Sequence, residues 1–580
     1  MSKGRVLYVI PIFRKLFDAV KAFWMQMLSG GGLLLVSLKK AGVERFFINS
    51  GTEYSGLLLD YMHLNPSQRP EMIVCLSETT AAAAAYGYSL MSENASAVMV
   101  HTVPGVANAL PNLFNAHTAS IPIILISGLT SYSSRGLRGS RKIRVHWGQD
   151  VRDIRDLVRQ FVKWDYVVTE AAEIPETVSR AVEVAMSPPQ GPVYIGIHRE
   201  HFMANLEKMV DQRPPIVSQP PSPNPSSVKK IAEKLASSNY PVILTRSAGR
   251  NAKSFHLLKS LAERLCVRVN YAVADYVNFP NTSIFSAPAE LRRADCIVVL
   301  ESDVPWLPAE EWPTDVYRVS VGLDPLMTRM NVWGYGFDEA VYSEASQFLE
   351  MLLHLFDSGS VKVGKDLLEE RRALAESDWR RWRRDLEEGL RQDKSRGLLT
   401  KRLASHLLGE ALPENSIIVN EYSLRPDYLF FDKPGTYFGE PPGGSLGWGL
   451  GAALGIKLAK PEAFVSVVLG DGSFVFNNPV SGAALSRWYR LPFLMVVFND
   501  GCWWDVKKSL ADMGFSEFEK KVEGVDFPEP LDVYSMGRGM GFSSYVAEKP
   551  EDAVEALGKA VADVLKGVSA LVDLRVKADF

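Results

Sequence analysis

Residues 465–504 read VSVVLGDGSFVFNNPVSGAALSRWYRLPFLMVVFNDGCWW, and this stretch constrains the fold more than any other. Residues 465–469 are an apolar, β-branched run of strand length, stopped by Gly470-Asp471-Gly472-Ser473. Residues 479–489 have helical length, and a second apolar run, 493–498, ends on Asn499-Asp500-Gly501. Strand, loop, helix, strand is the unit of a parallel sheet. Both loops should therefore open at the carboxyl ends of adjacent strands, the edge at which open α/β sheets hold their ligands.

The chemistry of the two loops is specific. Glycines at 470 and 472 let the backbone approach a ligand, and amides at the start of the following helix suit phosphate. Asp471 would repel a phosphate unless a cation sat between them. Asn499 and Asp500 add hard oxygen atoms from the next strand end. Together they point to Mg²⁺ held by one or two carboxylates and the oxygens of a diphosphate. Either tripeptide alone reads as an ordinary turn. Both at strand ends, with 26 residues between Gly472 and Asn499, favour the ligand site.

A chain of 580 residues should hold more than one domain. The expected organisation is α/β. Two related doubly wound parallel-sheet domains, 29–212 and 397–580, flank a Rossmann-like domain at 227–357. Strands are expected at 43–49, 72–76, 97–101, 122–127 and 192–197 in the first domain, and at 242–245, 267–270, 296–300 and 317–321 in the second. In the third they fall at 416–420, 465–469, 493–498 and 570–576. A Pro/Ser-rich linker covers 213–226, and 365–393 reads as a charged, solvent-facing connector helix. Residues 1–28 read as an N-terminal helical extension. Its apolar run is broken by Arg14, Lys15, Asp18 and Lys21 and is too short to span a bilayer, although a helix lying on a membrane surface is an alternative. A net charge of −3 gives no bias toward nucleic acid, and 4 scattered cysteines fit a reducing cytoplasm.

The spacing of the two loops resembles the diphosphate-binding motif of thiamine diphosphate enzymes, and nearly the whole chain looks like the acetolactate synthase and 2-oxoacid decarboxylase superfamily, with benzoylformate decarboxylase-like features. The resemblance implies cofactor contacts at Gly470, Asp471, Gly472, Ser473 and Asp500, and metal ligation by Asp471, Asp500 and the main-chain carbonyl of Cys502. Asp500 departs from the family's usual Asn and adds a negative charge beside the diphosphate. In the glycine-rich 439–455 segment the resemblance makes Leu446 the wedge that bends the cofactor, and turns the Gly444 carbonyl to its aminopyrimidine.

Glu78 is followed by small residues and then Gly87-Tyr88, the family's signature around its catalytic glutamate, with Ser77 where relatives often carry His. By resemblance Glu78 bonds to the aminopyrimidine ring and promotes formation of the cofactor carbanion. His101 ends a strand at the same edge and resembles the acid–base His of benzoylformate decarboxylase-like members. Gln149 resembles a cofactor-facing position, and Thr52 one at the site's rim. His146 is a second acid–base candidate, whereas His117 reads as core or interface. The basic run 135–150 is either an anion-receptive rim or a solvated loop. Trp503 and Trp504 read equally as a substrate wall or as core. Residues 507–527 resemble the segment that closes many family active sites.

The implied function is a thiamine diphosphate- and Mg²⁺-dependent lyase or carboligase that decarboxylates a 2-oxo acid through a carbanion and enamine. An acetolactate synthase-type transferase is the alternative, and a non-catalytic cofactor-binding protein the third reading. FAD is not expected in the central domain, whose Ser247-Ala248-Gly249-Arg250 turn is a poor dinucleotide fingerprint. The family architecture implies a homodimer or homotetramer.

Overall fold

The computed structural model describes residues 28–206, 211–307, 315–517 and 520–577, so most of the expected N-terminal extension lies outside the described residues. The chain divides into two compact units, one ending at Ser218 and one starting at Gln219.

The first unit is built on six parallel strands: β1 (Arg45–Ile48), β2 (Glu71–Val74), β3 (Ser96–His101), β4 (Ile123–Leu129), β5 (Asp165–Val167) and β6 (Val193–His198). Their order across the sheet is β2-β1-β3-β4-β6-β5. β4 is buried along its whole length, as a strand covered on both faces by crossover helices must be. Phe46, Ile48, Ile124 and Ile126 pack under the helices Gly30–Lys40 and Ile174–Met186. The first of these helices opens on three glycines for a steric reason. A Cβ at Gly31 would lie 2.4 Å from the backbone nitrogen of Leu57, so this helix meets the helix Ser55–His63 almost main chain to main chain.

The second unit holds two sheets. Its five-stranded sheet contains β7 (Pro241–Leu244), β8 (Arg268–Asn270), β9 (Cys296–Leu300), β10 (Tyr317–Gly322) and β11 (Glu339–Tyr342), in the order β11-β10-β9-β7-β8. Its six-stranded sheet contains β12 (Ile417–Glu421), β13 (Tyr437–Phe438), β14 (Val465–Gly470), β15 (Leu494–Asn499), β16 (Ser543–Ala547) and β17 (Ala570–Arg575), in the order β13-β12-β14-β15-β17-β16. Numbered within its own sheet, each six-stranded sheet runs second, first, third, fourth, sixth, fifth. The shared wiring is the physical content of the expectation that the outer domains are related.

The structure departs from the sequence reading in three places. Four of the six edge strands among the described residues, β5, β11, β13 and β16, are absent from the sequence reading; they are short, and β5, β11 and β16 are only partly buried, so their hydrophobic signal is weak. The turn after β14 winds at once into a short helix, Asp471–Phe476. The connector helix, Lys365–Arg396, is not simply solvent-facing. Its buried Arg371 donates to the carbonyls of Leu235 (2.8 Å), Leu265 (2.9 Å) and Ser238 (3.1 Å). Asp378 on the same helix accepts from buried Arg268 at 2.7 Å. A helix that reads as all charge is thus clamped to the central sheet by two of those charges. No helix among the described residues is long and apolar enough to cross a membrane.

Candidate active site

In the first unit β1 runs between β2 and β3, so the residues after these three strands share one carboxyl edge. His101 ends β3, and its Nδ1 meets the Glu53 carboxylate, buried in the turn after β1. Gln149 Nε2 lies 3.4 Å from His101 Nε2. With Nδ1 turned to the carboxylate, the ring presents Nε2 to the Gln149 side chain. A Cβ at Gly51 would fall 2.5 Å from His101 Nδ1, so a side chain there would displace the ring.

Burial pushes Glu53 upward, but the hydrogen bond and charge of His101 outweigh it and hold the carboxyl below its usual range. In the native chain this contribution to stability is present above the ordinary carboxylate value and is lost as pH falls through the lowered one. In His101→Phe both contributions of the ring are lost, only the main-chain and Thr52 bonds still oppose burial, and the Glu53 carboxyl rises, so the stability it supplies above the ordinary carboxylate value shrinks. The gap in melting temperature between the two proteins is therefore expected to widen as pH rises through and above the ordinary carboxylate range. A gap that stays constant in thermal melts would show that Glu53 does not depend on His101.

Glu78 begins the helix Glu78–Ser92 just beyond β2. Its Oε2 accepts from Asn108 Nδ2 at 3.2 Å. A Cβ at Gly105 would come 3.3 Å from Glu78 Oε1, so the small residue leaves space for the carboxylate. Thr79 Oγ1 donates to the Asn108 carbonyl at 3.0 Å, and Asn112 Nδ2 donates to the Thr79 carbonyl at 3.1 Å, which fixes the helix start against its neighbour Thr102–Thr118. Ala81 to Ala85 are all buried, as the small-residue run requires.

His146, the other acid–base candidate, is buried within its own loop. Its Nδ1 accepts from Lys142 N at 3.1 Å, and Arg199 Nη1 stands 3.2 Å from its Nε2. Burial, and then the Arg199 charge, hold it below the usual imidazole range. The basic run is partly committed as well: Arg141 pairs with Asp150 and donates to the Ser131 carbonyl at 2.7 Å.

In the second unit β14 and β15 are parallel neighbours, with Gly470 opposite Phe498. Asp471 is buried. Its Oδ1 accepts from Gly472 N and its Oδ2 from Gly501 N, both at 2.8 Å, so one carboxylate ties the two loops together. Asp500 Oδ1 accepts from Cys502 N at 3.3 Å, and its Oδ2 faces Lys401 Nζ at 2.8 Å. Burial, and then the nearby Asp500 charge, push the Asp471 carboxyl up to about 7. Asn499 is engaged elsewhere, donating to Asp573 Oδ1 at 3.1 Å and to the Leu531 carbonyl at 3.0 Å.

Glu421, at the end of β12, organises the glycine-rich segment. Its fully buried carboxylate accepts from Gly447 N (3.0 Å), Trp448 N (3.0 Å), Gly449 N (2.5 Å) and Asn477 Nδ2 (3.0 Å). Burial raises it despite those four donors. Gly447 has φ +92°, and a Cβ there would lie 2.5 Å from the Phe476 carbonyl, so both conformation and space call for glycine. Leu446 is partly exposed. The Gly444 carbonyl accepts from Tyr422 Oη at 3.2 Å, and Tyr422 itself has φ +70°. Backbone strain of this kind gathers at functional edges.

Trp503 packs tightly on the loop: a Cβ at Gly472 would be 2.3 Å from its ring, and the Phe476 and Phe527 rings stand at steep angles to it. The segment that follows returns to the same loop through Trp503 N to the Val525 carbonyl (3.0 Å), Phe527 N to the Gly501 carbonyl (2.8 Å) and Lys507 to Asp526 (2.7 Å).

This donor set fits a diphosphate with a hard divalent cation. Two adjacent carboxylates raise each other's cost in a buried loop, and a cation between them relieves it. No cluster of three or more His, Cys, Asp or Glu suited to a metal occurs among the described residues. A hard divalent cation held with a diphosphate takes few ligands from protein and the rest from phosphate oxygens and water.

Residues 28–154 match the family described as thiamine pyrophosphate enzyme, N-terminal TPP binding domain, and residues 425–574 match its C-terminal TPP binding domain. The chain belongs to the thiamine pyrophosphate enzymes, in the superfamily of acetolactate synthases and 2-oxoacid decarboxylases. It is 24% identical to acetolactate synthase isozyme 3 large subunit of Escherichia coli over 581 residues, covering 95% of each chain. It is 25% identical to benzoylformate decarboxylase of Pseudomonas aeruginosa over 552 residues, 90% of this chain and 95% of that one. Its fold matches the crystal structure of benzoylformate decarboxylase from Polynucleobacter necessarius with TM-score 0.75 at 22% identity, covering 95% and 99% of the two chains.

Proposed function

We propose that the chain is a thiamine diphosphate- and Mg²⁺-dependent lyase or carboligase acting on a 2-oxo acid. The observation that carries this reading is that Glu78, Glu53 and His101 share the carboxyl edge of one sheet, while Asp471 and Asp500 share that edge of a sheet with the same wiring. Thiamine diphosphate, when bound, supplies the nucleophilic carbon and the electron sink that loss of CO₂ from a 2-oxo acid requires. Glu78 would be the group that bonds to the pyrimidine ring and holds or releases a proton there. His101, held by Glu53 with Nε2 outward, moves protons to and from the substrate oxygen or carbon. Asp471, Asp500 and the Cys502 carbonyl would hold Mg²⁺, which would neutralise the diphosphate charge. Gly470, Gly472 and Ser473 line it, and Leu446 and Gly444 border the pyrimidine and thiazole.

FAD is left out of this reading. The Gly249 amide donates to Asn278 Oδ1 at 2.8 Å, and a Cβ at Gly249 would lie 2.0 Å from the Val277 carbonyl, so that turn closes on its own chain. Exposed Ile143, Val145, Trp147 and Val151 near the first site's edge favour a second copy covering them, in a homodimer or homotetramer. The buried, unpaired cysteines suit a reducing cytoplasm.

The reading is tested by CO₂ release from aliphatic and aromatic 2-oxo acids, with and without thiamine diphosphate and Mg²⁺. Release that requires both is expected. No release from any acid, with cofactor bound, would sink the decarboxylation step. The broad match to acetolactate synthase favours a transferase as the second reading, in which pyruvate yields acetolactate in place of a free aldehyde.

A further inference from the structure

We propose that Lys401 is a built-in counter-ion of the diphosphate loops, which holds Asp500 and sets how strongly diphosphate binding depends on a divalent metal. The proposal rests on reading the Asp471 and Asp500 loops as the diphosphate site.

Lys401 Nζ stands 2.8 Å from Asp500 Oδ2, and the two side chains are only 7% and 6% exposed. The Trp504 ring covers the ammonium, with its centroid 5.0 Å from Nζ. This placement is not explained by helix formation. Lys401 is the first residue of the helix Lys401–Ala411, where the positive end of the helix dipole disfavours a cation. Nor is a buried ion pair a device for stability, since well-packed apolar residues do as well or better.

The lysine is instead aimed by its neighbours. Thr400 Oγ1 accepts from Leu403 N at 3.2 Å as the N-cap and donates to Asp393 Oδ2 at 2.5 Å. Arg402 grips the same Asp393 with bonds of 2.6 and 2.8 Å. The residues on either side of Lys401 are therefore anchored to the end of the preceding helix, and its side chain is directed to the loop after β15.

The consequence is electrostatic. Two carboxylates stand where a diphosphate would have to sit, and a diphosphate brings several further negative charges. Lys401 cancels one carboxylate permanently. Some affinity for diphosphate should then survive without metal. Lys401 also competes with the metal for Asp500, so its removal should make the site bind metal more tightly and depend on it more.

The test is thiamine diphosphate affinity by isothermal titration and tryptophan fluorescence, once in EDTA and once in Mn²⁺, on the full chain. The quantity read is the ratio of the two dissociation constants. Lys401→Met is expected to raise that ratio about tenfold over the native chain. Lys401→Arg, which keeps the charge, should leave it within about twofold. Lys401→Met/Asp500→Asn, which removes both charges, should return it toward the native value. Should Lys401→Met not fold, the ratio is read on Lys401→Gln, which keeps a donor toward Asp500 but not the charge, with the same expected rise and the same overturning result. A native-like ratio in a folded Lys401→Met, or a double variant as metal-dependent as the single one, would overturn the proposal. A folded native chain that binds no thiamine diphosphate in either medium would overturn the diphosphate reading itself.

Discussion

Glu78→Gln is expected to lower turnover by roughly 10²- to 10⁴-fold, the usual weight of a positioned acid–base group, while thiamine diphosphate affinity stays nearly unchanged. The substitution preserves shape and leaves an oxygen to accept the Asn108 bond at Oε2. What is lost is a group that can both hold and release a proton beside the pyrimidine ring. Affinity should survive because the diphosphate loops lie in other elements, around Asp471 and Asp500. Steady-state kinetics with binding measured separately would check it. Native-like turnover would remove Glu78 from the mechanism, and a parallel loss of affinity would make it a binding residue.

Asp471→Ala is expected to abolish cofactor binding at concentrations that saturate the native chain. A ligand that binds only the folded state raises its stability by RT ln(1 + [L]/Kd), so thiamine diphosphate with Mg²⁺ should raise the native melting temperature and leave that of the variant unmoved. The effect on the empty protein is distinct. The native carboxyl is pushed up to about 7, so its ionised form is costly in the loop, and Ala removes that cost. Ala also leaves the Gly472 and Gly501 amides without their acceptor, a cost of the opposite sign. The empty variant should therefore melt close to the native chain, and the gap should open only on adding cofactor. A cofactor-induced shift in Asp471→Ala as large as in the native chain would exclude Asp471 from the site.

Much of this was legible in the sequence, for particular reasons. Buried parallel strands are continuous apolar runs, so β9 and β14 could be bounded within a residue. The glycine-bounded loops announced themselves because turn chemistry is local. Glu53 and Lys401 were not singled out. Both matter through a partner distant in sequence, His101 for the one and Asp500 for the other, and a lysine opening a polar helix looks like a solvated residue. Asp500 looked like an added charge beside the diphosphate because its balancing cation lies about a hundred residues upstream, on another element. Glu421, one residue past the expected strand 416–420, carries no signal of its own in the sequence. Its four donors come from two later segments that no local pattern connects.

The clamp between the connector helix and the central sheet bears on how the chain is made. Arg371 supplies donors to carbonyls at the ends of two helices, and Asp378 supplies the counter-charge of Arg268 on β8. While a ribosome has released only the residues before these two, the five-stranded sheet has all its strands but holds a buried guanidinium without its acid and helix ends without their donors. The middle of the protein therefore cannot settle until the following helix has emerged. The first unit is complete by Ser218 and is free to mature earlier in synthesis.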